Sequence, residues 1–391
     1  MKIRRQSLIL SVLSLYCLWL IPPAAAQSSP PPGPVIAADA AVLMDAKTGE
    51  VLWGKKAHER RAPASTTKIL TAIVALERGQ LDADVLVSPK AAHTPGSSMK
   101  VYSGQSLSLR EMLTGLLLSS GNDAAVAIAE HIAGSVEEFA PLLNSKAAEL
   151  GAKNTHFINP HGLTVPGHYS SAYDLALLTR YALANPIFAE IVRTKEESVD
   201  WQDIKGKEQA KTLRNTNRLL WLFPDADGVK TGTTGPAGKC LVSSASRGNQ
   251  KLIAVVLHDN NRWTDSIKIL EYGFRHFNLA EYAPKGQVIA SLPVENGLYP
   301  AVNAIAAENA ALVVKADDLP NIRVTVNLPE KIKAPVFPGQ KLGEIVFYSG
   351  DQALKRVDVI AEAEVTERSY QRMLLNALFR VYRTLSGWGL F

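Results

Sequence analysis

Apolar positions in this chain repeat with a helical period in its middle and a strand period at both ends of that region. Ile69, Ala72, Ile73 and Leu76 recur at the three-and-four spacing of a buried helix face, and Gly79 stands where a C-terminal cap belongs. The polar stretch from Pro63 to Lys68 leads into this face and places Ser65 at the helix start. Ser108-Leu109-Arg110-Glu111 is a capping box opening a helix with Met112, Leu113 and Leu116 on its apolar face. That helix breaks at Ser119-Ser120-Gly121-Asn122, and another is predicted over 123–132. Ser135-Val136-Glu137-Glu138 caps a helix ending near Gly151, and Ser171 caps one ending before Pro186.

Strand-like stretches at 40–45 and 51–54 flank the turn Lys47-Thr48-Gly49 and predict a β-hairpin; 85–88 predicts a short strand. From Gly228 the strand period returns over 229–233, 241–246 and 252–259, followed by a helix over 263–277. Helices between an early hairpin and a late antiparallel group predict an α/β domain with an antiparallel sheet. Beyond Ala283, short apolar stretches at 287–292, 311–315, 322–327, 341–348 and 356–361 alternate with Pro, Gly and Asn turns, predicting a small all-β domain.

The 391 residues are enough for two cores, and 47% hydrophobic with 20% charged residues excludes both a disordered and a polytopic chain. Lys2, Arg4 and Arg5, an apolar run over 8–21, Pro22 and Ala24-Ala25-Ala26 read as a secretory signal peptide, 1–26, cut after Ala26. An uncleaved anchor is the alternative, and the small-residue site argues against it. Tyr16 before Cys17 argues against a lipid-modified cysteine. Removing the three leader cations from 42 basic residues leaves 39 against 37 acidic ones, so charge gives no argument for a nucleic-acid partner. Cys240 is then the sole cysteine, and no internal disulfide can form.

A Ser/Pro-rich spacer covers 27–37, the α/β domain 38–283 and the β-rich domain 284–365. In the tail, 366–391, one helical face carries Tyr370, Leu374, Leu378, Val381, Leu385 and Trp388, while Arg372, Arg380 and Arg383 fall elsewhere. A basic amphipathic helix of this kind suits the surface of an anionic membrane and is interrupted by arginine too often to span one. Docking on the protein itself is the alternative.

The chemistry begins at Ser65 and Lys68. Three apart on one helical turn, a hydroxyl and an amine come within reach, and burial would favour the neutral amine that can accept a proton. The S-x-x-K pattern is short and recurs at Ser97 and Lys100, in a Pro/Gly/Ser loop with no helical period behind it. Two further motifs lend it weight. Ser120-Gly121-Asn122 is the chain's S-x-N, at a helix-to-helix break, and Lys230-Thr231-Gly232-Thr233 lies on the first late strand. The other K-T-G, at Lys47, precedes the serine and bridges a hairpin. In this order S-x-x-K, S-x-N and K-T-G are the set of serine acyltransferases that includes β-lactamases and penicillin-binding proteins.

On these motifs the chain resembles the low-molecular-mass penicillin-binding D-alanyl-D-alanine carboxypeptidases, class C and type-5-like, over nearly its whole length. Phe157-Ile158-Asn159-Pro160-His161-Gly162-Leu163 and Gly96-Ser97-Ser98-Met99 are similar to further stretches of that family. The resemblance implies a catalytic domain of the β-lactamase/transpeptidase-like type and a peptidoglycan stem peptide ending in D-Ala-D-Ala as substrate. It implies Ser65 as nucleophile, Lys68 as base and Ser120 as proton relay. Asn122, Lys230, Thr231, Gly232 and Thr233 would bind substrate, with the Ser65 and Thr233 amides as oxyanion donors. β-Lactams would acylate Ser65, and no cofactor or metal is implied. Several members carry histidine where this chain has Thr233.

Rival readings are a class A β-lactamase, whose E-x-x-L-N stretch is missing here, and an endopeptidase, whose relatives generally lack a β-rich second domain. A non-catalytic peptidoglycan- or β-lactam-binding protein is opposed by three intact motifs. A metallopeptidase is opposed by eight scattered histidines and no H-E-x-x-H. Cys240 reads as a buried structural thiol, close enough to K-T-G for thiol reagents to be worth testing.

Overall fold

A computed structural model describes residues 32–202 and 207–368. The expected signal peptide and amphipathic tail helix lie outside these residues. The α/β domain is built on a five-stranded antiparallel sheet of β1 (Ala40–Asp45), β2 (Val51–Lys55), β3 (Ala226–Thr234), β4 (Gly238–Arg247) and β5 (Gln250–Leu257). Their order is β2-β1-β5-β4-β3, so the N-terminal hairpin docks on the C-terminal one and β3 is left as an edge. The central strands β1 and β5 read as continuous apolar runs because both of their faces are covered.

On one face lie α1 (Lys68–Arg78), α2 (Leu109–Leu117), α3 (Asn122–Ala133), α4 (Val136–Glu149), α5 (Ala172–Leu183) and α6 (Pro186–Arg193). Ile69, Ile73, Leu113, Ile128 and Phe139 join Val42, Val229 and Val255 in one core. The opposite face is covered by α7 (Arg262–His276), whose Ile269 and Leu270 pack with Leu43, Leu241 and Val256. The capping boxes act as read: Ser108 Oγ accepts from the Glu111 N–H, and Ser135 and Ser171 cap α4 and α5 in the same way.

Three features depart from the sequence expectation. The helix start that carries Ser65 is not α-helical but a 3₁₀ turn, Ala64–Thr67, and α1 begins only at Lys68. The hydroxyls of Thr66 and Thr67 bond back to the Pro63 and Ala64 carbonyls, which competes with α-helical pairing and tightens the turn. The strands Glu196–Gln202 and Glu208–Arg214 form a hairpin absent from the prediction, and their few apolar residues explain why. Strands Phe277–Ala283 and Ala301–Ala306 were likewise not expected.

The β-rich region is a six-stranded sheet in the order Ile322–Asn327, Lys341–Ser349, Gln352–Ala361, Ala301–Ala306, Val288–Glu295, Ile332–Lys333. Its core includes Leu292, Val302, Ile345, Phe347 and Val359. Phe277–Ala283, leaving α7, pairs with Ala310–Lys315 and joins this region to the first. No single described helix is long and apolar enough to cross a membrane.

Candidate active site

The site forms where the 3₁₀ turn, the start of α3 and the edge strand β3 converge. Ser65 is partly exposed, whereas Lys68, one turn on, is completely buried. Lys68 Nζ lies 3.0 Å from Ser65 Oγ, 2.7 Å from Asn122 Oδ1 and 2.9 Å from the His161 carbonyl oxygen. Burial drives the Lys68 pKa well below its usual value, the Lys230 charge adds to this, and buried Asp123 opposes it. Burial thus favours the neutral amine, against the pull of Asp123.

The turn is held from behind by the segment from Phe157 to Leu163. Asn159 Oδ1 accepts from the Gly162 N–H at 2.7 Å, Asn159 Nδ2 donates to the Leu163 carbonyl, and Thr71 Oγ1 donates to the Pro160 carbonyl. Gly162 adopts φ +86°, and a Cβ there would overlap the Ala64 carbonyl oxygen, so only glycine permits this approach. Ala64 itself has φ +49°, a costly conformation for alanine and one that sets the direction of the Ser65 side chain. His168 receives the Ile158 N–H on Nδ1, which leaves Nε2–H to donate to Thr67 Oγ1, which in turn donates to the Ala64 carbonyl. Burial lowers the His168 pKa to about 4 and the His161 pKa to about 3, the latter aided by Lys68, so both imidazoles are neutral.

Ser120 sits in the break between α2 and α3 with φ +59°. Its side chain is 4% exposed and its hydroxyl has no hydrogen-bond partner among the described residues. Asn122 is held on both sides, since Nδ2 donates to the Pro95 carbonyl at 2.6 Å while Oδ1 faces Lys68. Asp123, also buried, accepts from Ser98 Oγ and the Met99 and Lys100 N–H groups. The second S-x-x-K copy is thus a loop strapped to the start of α3.

Lys230 is 1% exposed, and its ammonium finds only the neighbouring Thr231 carbonyl at 3.2 Å. No carboxylate pairs with it among the described residues, and burial, with Arg262 adding to it, lowers its pKa to about 7. Thr231 Oγ1 lies 2.8 Å from Thr216 Oγ1. A Cβ on Gly232 would stand 3.0 Å from the Ala64 Cβ, the Pro63 oxygen and the Ser65 nitrogen, so the bare glycine brings β3 against the turn that carries Ser65. Thr233 Oγ1 donates to the Gly232 carbonyl and accepts from Arg262 Nη1 at 3.0 Å.

Arg262 is the residue that motif reading missed. At the start of α7 it reaches the Gly232 and Cys240 carbonyls as well as Thr233, and it stacks on Trp263. Its only sequence signal was its place in the first turn of a predicted helix. The His161 carbonyl was missed for a different reason: a backbone atom leaves no mark in a residue pattern. Cys240 faces Gly232 across the β3/β4 ladder, fully buried, with its thiol pushed up to about 11 by burial. Among the described residues no group of three or more His, Cys, Asp or Glu is arranged to hold a metal.

Known proteins share both halves of the chain. Residues 25–261 match the family D-alanyl-D-alanine carboxypeptidase, and residues 277–367 match the family Penicillin-binding protein 5, C-terminal domain. The chain is 35% identical to D-alanyl-D-alanine carboxypeptidase DacF of Bacillus subtilis, with 90% of each chain covered. It is 34% identical to DacD of Escherichia coli, over 88% of this chain and 92% of that one. Penicillin binding protein 5 from Haemophilus influenzae superposes with a TM-score of 0.70 at 29% identity, covering 86% of this chain and 99% of that one. The Streptomyces K15 DD-transpeptidase gives 0.60 at 35% identity, over 62% of this chain and 99% of that one. With its serine, buried lysine and glycine-flanked edge strand in one cleft and a β-rich second region behind, this chain belongs to the D-alanyl-D-alanine carboxypeptidase family of penicillin-binding proteins.

Proposed function

We propose that the protein is a serine-type D-Ala-D-Ala carboxypeptidase that removes the terminal D-Ala from peptidoglycan stem peptides through an acyl-enzyme on Ser65. The observation that carries the reading is the three-point setting of Lys68. A neutral amine has two N–H donors and one lone pair. With the donors turned to Asn122 Oδ1 and the His161 carbonyl, the lone pair faces the Ser65 hydroxyl at 3.0 Å.

Ser65 Oγ attacks the penultimate D-Ala carbonyl while its proton passes to Lys68 Nζ. The tetrahedral oxyanion lies between the Ser65 and Thr233 amides, a reading supported by the closeness of Gly232, next to Thr233, to the Ser65 nitrogen. Collapse breaks the C–N bond, and the departing amine takes its proton through Ser120, whose hydroxyl is uncommitted among the described residues. Water then hydrolyses the ester with Lys68 accepting its proton. The terminal carboxylate is drawn to the unpaired Lys230, with Thr231, Thr233 and Arg262 forming the rest of its seat. Gly232 and Asn122 line the substrate's path. A β-lactam presents the same scissile amide and the same carboxylate, and acylates the same serine.

The reading carries a location with it: export by the leader 1–26 with its cut after Ala26, and peripheral attachment of 366–391 to the outer face of an anionic cytoplasmic membrane. The catalytic unit is taken as 38–283 and the β-rich unit as 284–365. Purified wild-type protein and Ser65→Ala, incubated with diacetyl-lysyl-D-Ala-D-Ala and with fluorescent penicillin, test the mechanism. D-Ala release and covalent label are expected from the wild type alone; label retained by Ser65→Ala would overturn the assignment.

A further inference from the structure

The second K-T-G, which the proposed chemistry leaves unused, forms one wall of a separate cavity of about 200 Å³. Lys47 lies in the β1/β2 turn, Arg180 comes from α5, and Lys285, Glu308, Asn309 and Lys355 come from the β-rich region. Four cations and a single carboxylate thus line one recess. Two of the cations are compensated: Lys47 pairs with Glu281 at 2.5 Å, and Lys355 lies 3.8 Å from Glu308. Glu50, a further carboxylate in this neighbourhood, has its pKa raised by burial and by Asp45, with Lys355 opposing. Arg180 and Lys285 have no acidic partner among the described residues.

The recess is also rigid. Arg180 donates through Nε and Nη2 to the Ala46 and Lys47 carbonyls, at 2.9 Å each, which leaves Nη1 without an acceptor among the described residues. Asp45 Oδ1 accepts from the Lys47 and Thr48 N–H groups and holds the turn. Asn309 closes the opposite side, accepting from the Lys285 N–H and donating to the Lys47 carbonyl. Arg180, held by backbone carbonyls, and Lys285, with no carboxylate paired with it among the described residues, leave positive charge in the recess for an anion from outside.

We propose that this recess is a binding site for a phosphate group, one that ties the β1/β2 turn to the β-rich region and is distinct from the Ser65 cleft. The same chemistry is offered by free phosphate and by a phospholipid headgroup. Arg180 and Lys285 supply the uncompensated guanidinium and ammonium, Lys47 and Lys355 flank them as carboxylate-paired cations, and the volume admits a phosphate with a small substituent.

The test is thermal unfolding of the full-length protein titrated with inorganic phosphate or with the headgroup diester glycerophosphoglycerol, each against sodium chloride at matched ionic strength. Saturable stabilisation by either ligand is expected, and the ligand that gives it identifies the source. Lys285→Ala weakens the binding at least tenfold, Lys285→Glu abolishes it and Lys285→Arg restores it. The Lys285 side chain makes no bond that the fold requires, and its backbone bond to Asn309 survives each change. Stabilisation no greater than with chloride, or unchanged in Lys285→Glu, overturns the proposal.

Discussion

Replacing Gly232 by alanine tests whether the approach of β3 to the turn that carries Ser65 positions the serine. The new Cβ would sit 3.0 Å from the Ala64 Cβ, the Pro63 oxygen and the Ser65 nitrogen. Carbon–carbon contacts are most favourable at about 3.5–4.0 Å, so the turn and the strand must separate by roughly 0.5 Å or more. None of the three atoms is the tip of a flexible side chain; the displacement falls on backbone and on a β-carbon. Overpacking of this kind costs about 1–3 kcal/mol, which a domain of this size survives. The chemistry is less tolerant. Ser65 Oγ lies 3.0 Å from an amine that two other partners, Asn122 Oδ1 and the His161 carbonyl, hold in place, so moving the turn shifts the serine relative to Lys68.

A loss of about 10- to 100-fold in acylation rate follows, in line with the sensitivity of catalysis to displacements approaching 1 Å. The assay is the second-order rate of labelling by fluorescent penicillin, run beside D-Ala release and a melting curve. Gly235→Ala is the control, because a Cβ there meets nothing within 4 Å. A folded Gly232→Ala protein that acylates within about twofold of the wild type would refute the positioning argument, since the displacement estimated from the contact distances would then have no kinetic effect.

Gly162→Ala meets both an unfavourable φ of +86° and the Ala64 carbonyl, so a destabilisation of about 3 kcal/mol or more is expected in chemical denaturation, together with lost acylation. For Lys230 the folded pKa of about 7 lies below the ordinary value of 10.5, so between these limits the unfolded chain holds a proton the folded one has released. That contribution raises stability as pH climbs through this window, whereas below about 7 the full cost of the buried charge remains. Lys230→Met should remove the rise, so that its denaturation midpoint climbs less steeply than the wild type's from pH 7 to 10; parallel profiles would show that Lys230 does not titrate there. Cys240, buried with its thiol pushed up to about 11, should react with Ellman's reagent only as the protein unfolds, and Cys240→Ser should keep its rate of penicillin labelling.

Local pattern alone placed much of this protein. Helix faces, capping boxes and the late antiparallel strands are written in short-range periodicity, which burial on one side imposes directly on sequence. Ser65 with Lys68, and Ser120 with Asn122, are also local, because residues within one helical turn or at one helix start share a surface whatever the rest of the chain does. The hairpin of Glu196–Gln202 and Glu208–Arg214 escaped because only Val199, Trp201 and Leu213 reach the core, too few for a legible strand period, while pairing and contacts such as Lys211 Nζ with the Met99 carbonyl and the Trp201 ring add to them.

What only tertiary structure decided is where those local pieces point. Lys68 is a buried amine because the His161 carbonyl, 93 residues away, and Asn122 close around it. Arg262 reaches the back of the K-T-G strand because α7 covers the sheet's other face. The two K-T-G tripeptides are chemically identical. One lies on an edge strand against Ser65, the other turns a hairpin beside Arg180, and the difference is set by what packs on each, a long-range property that a tripeptide cannot encode.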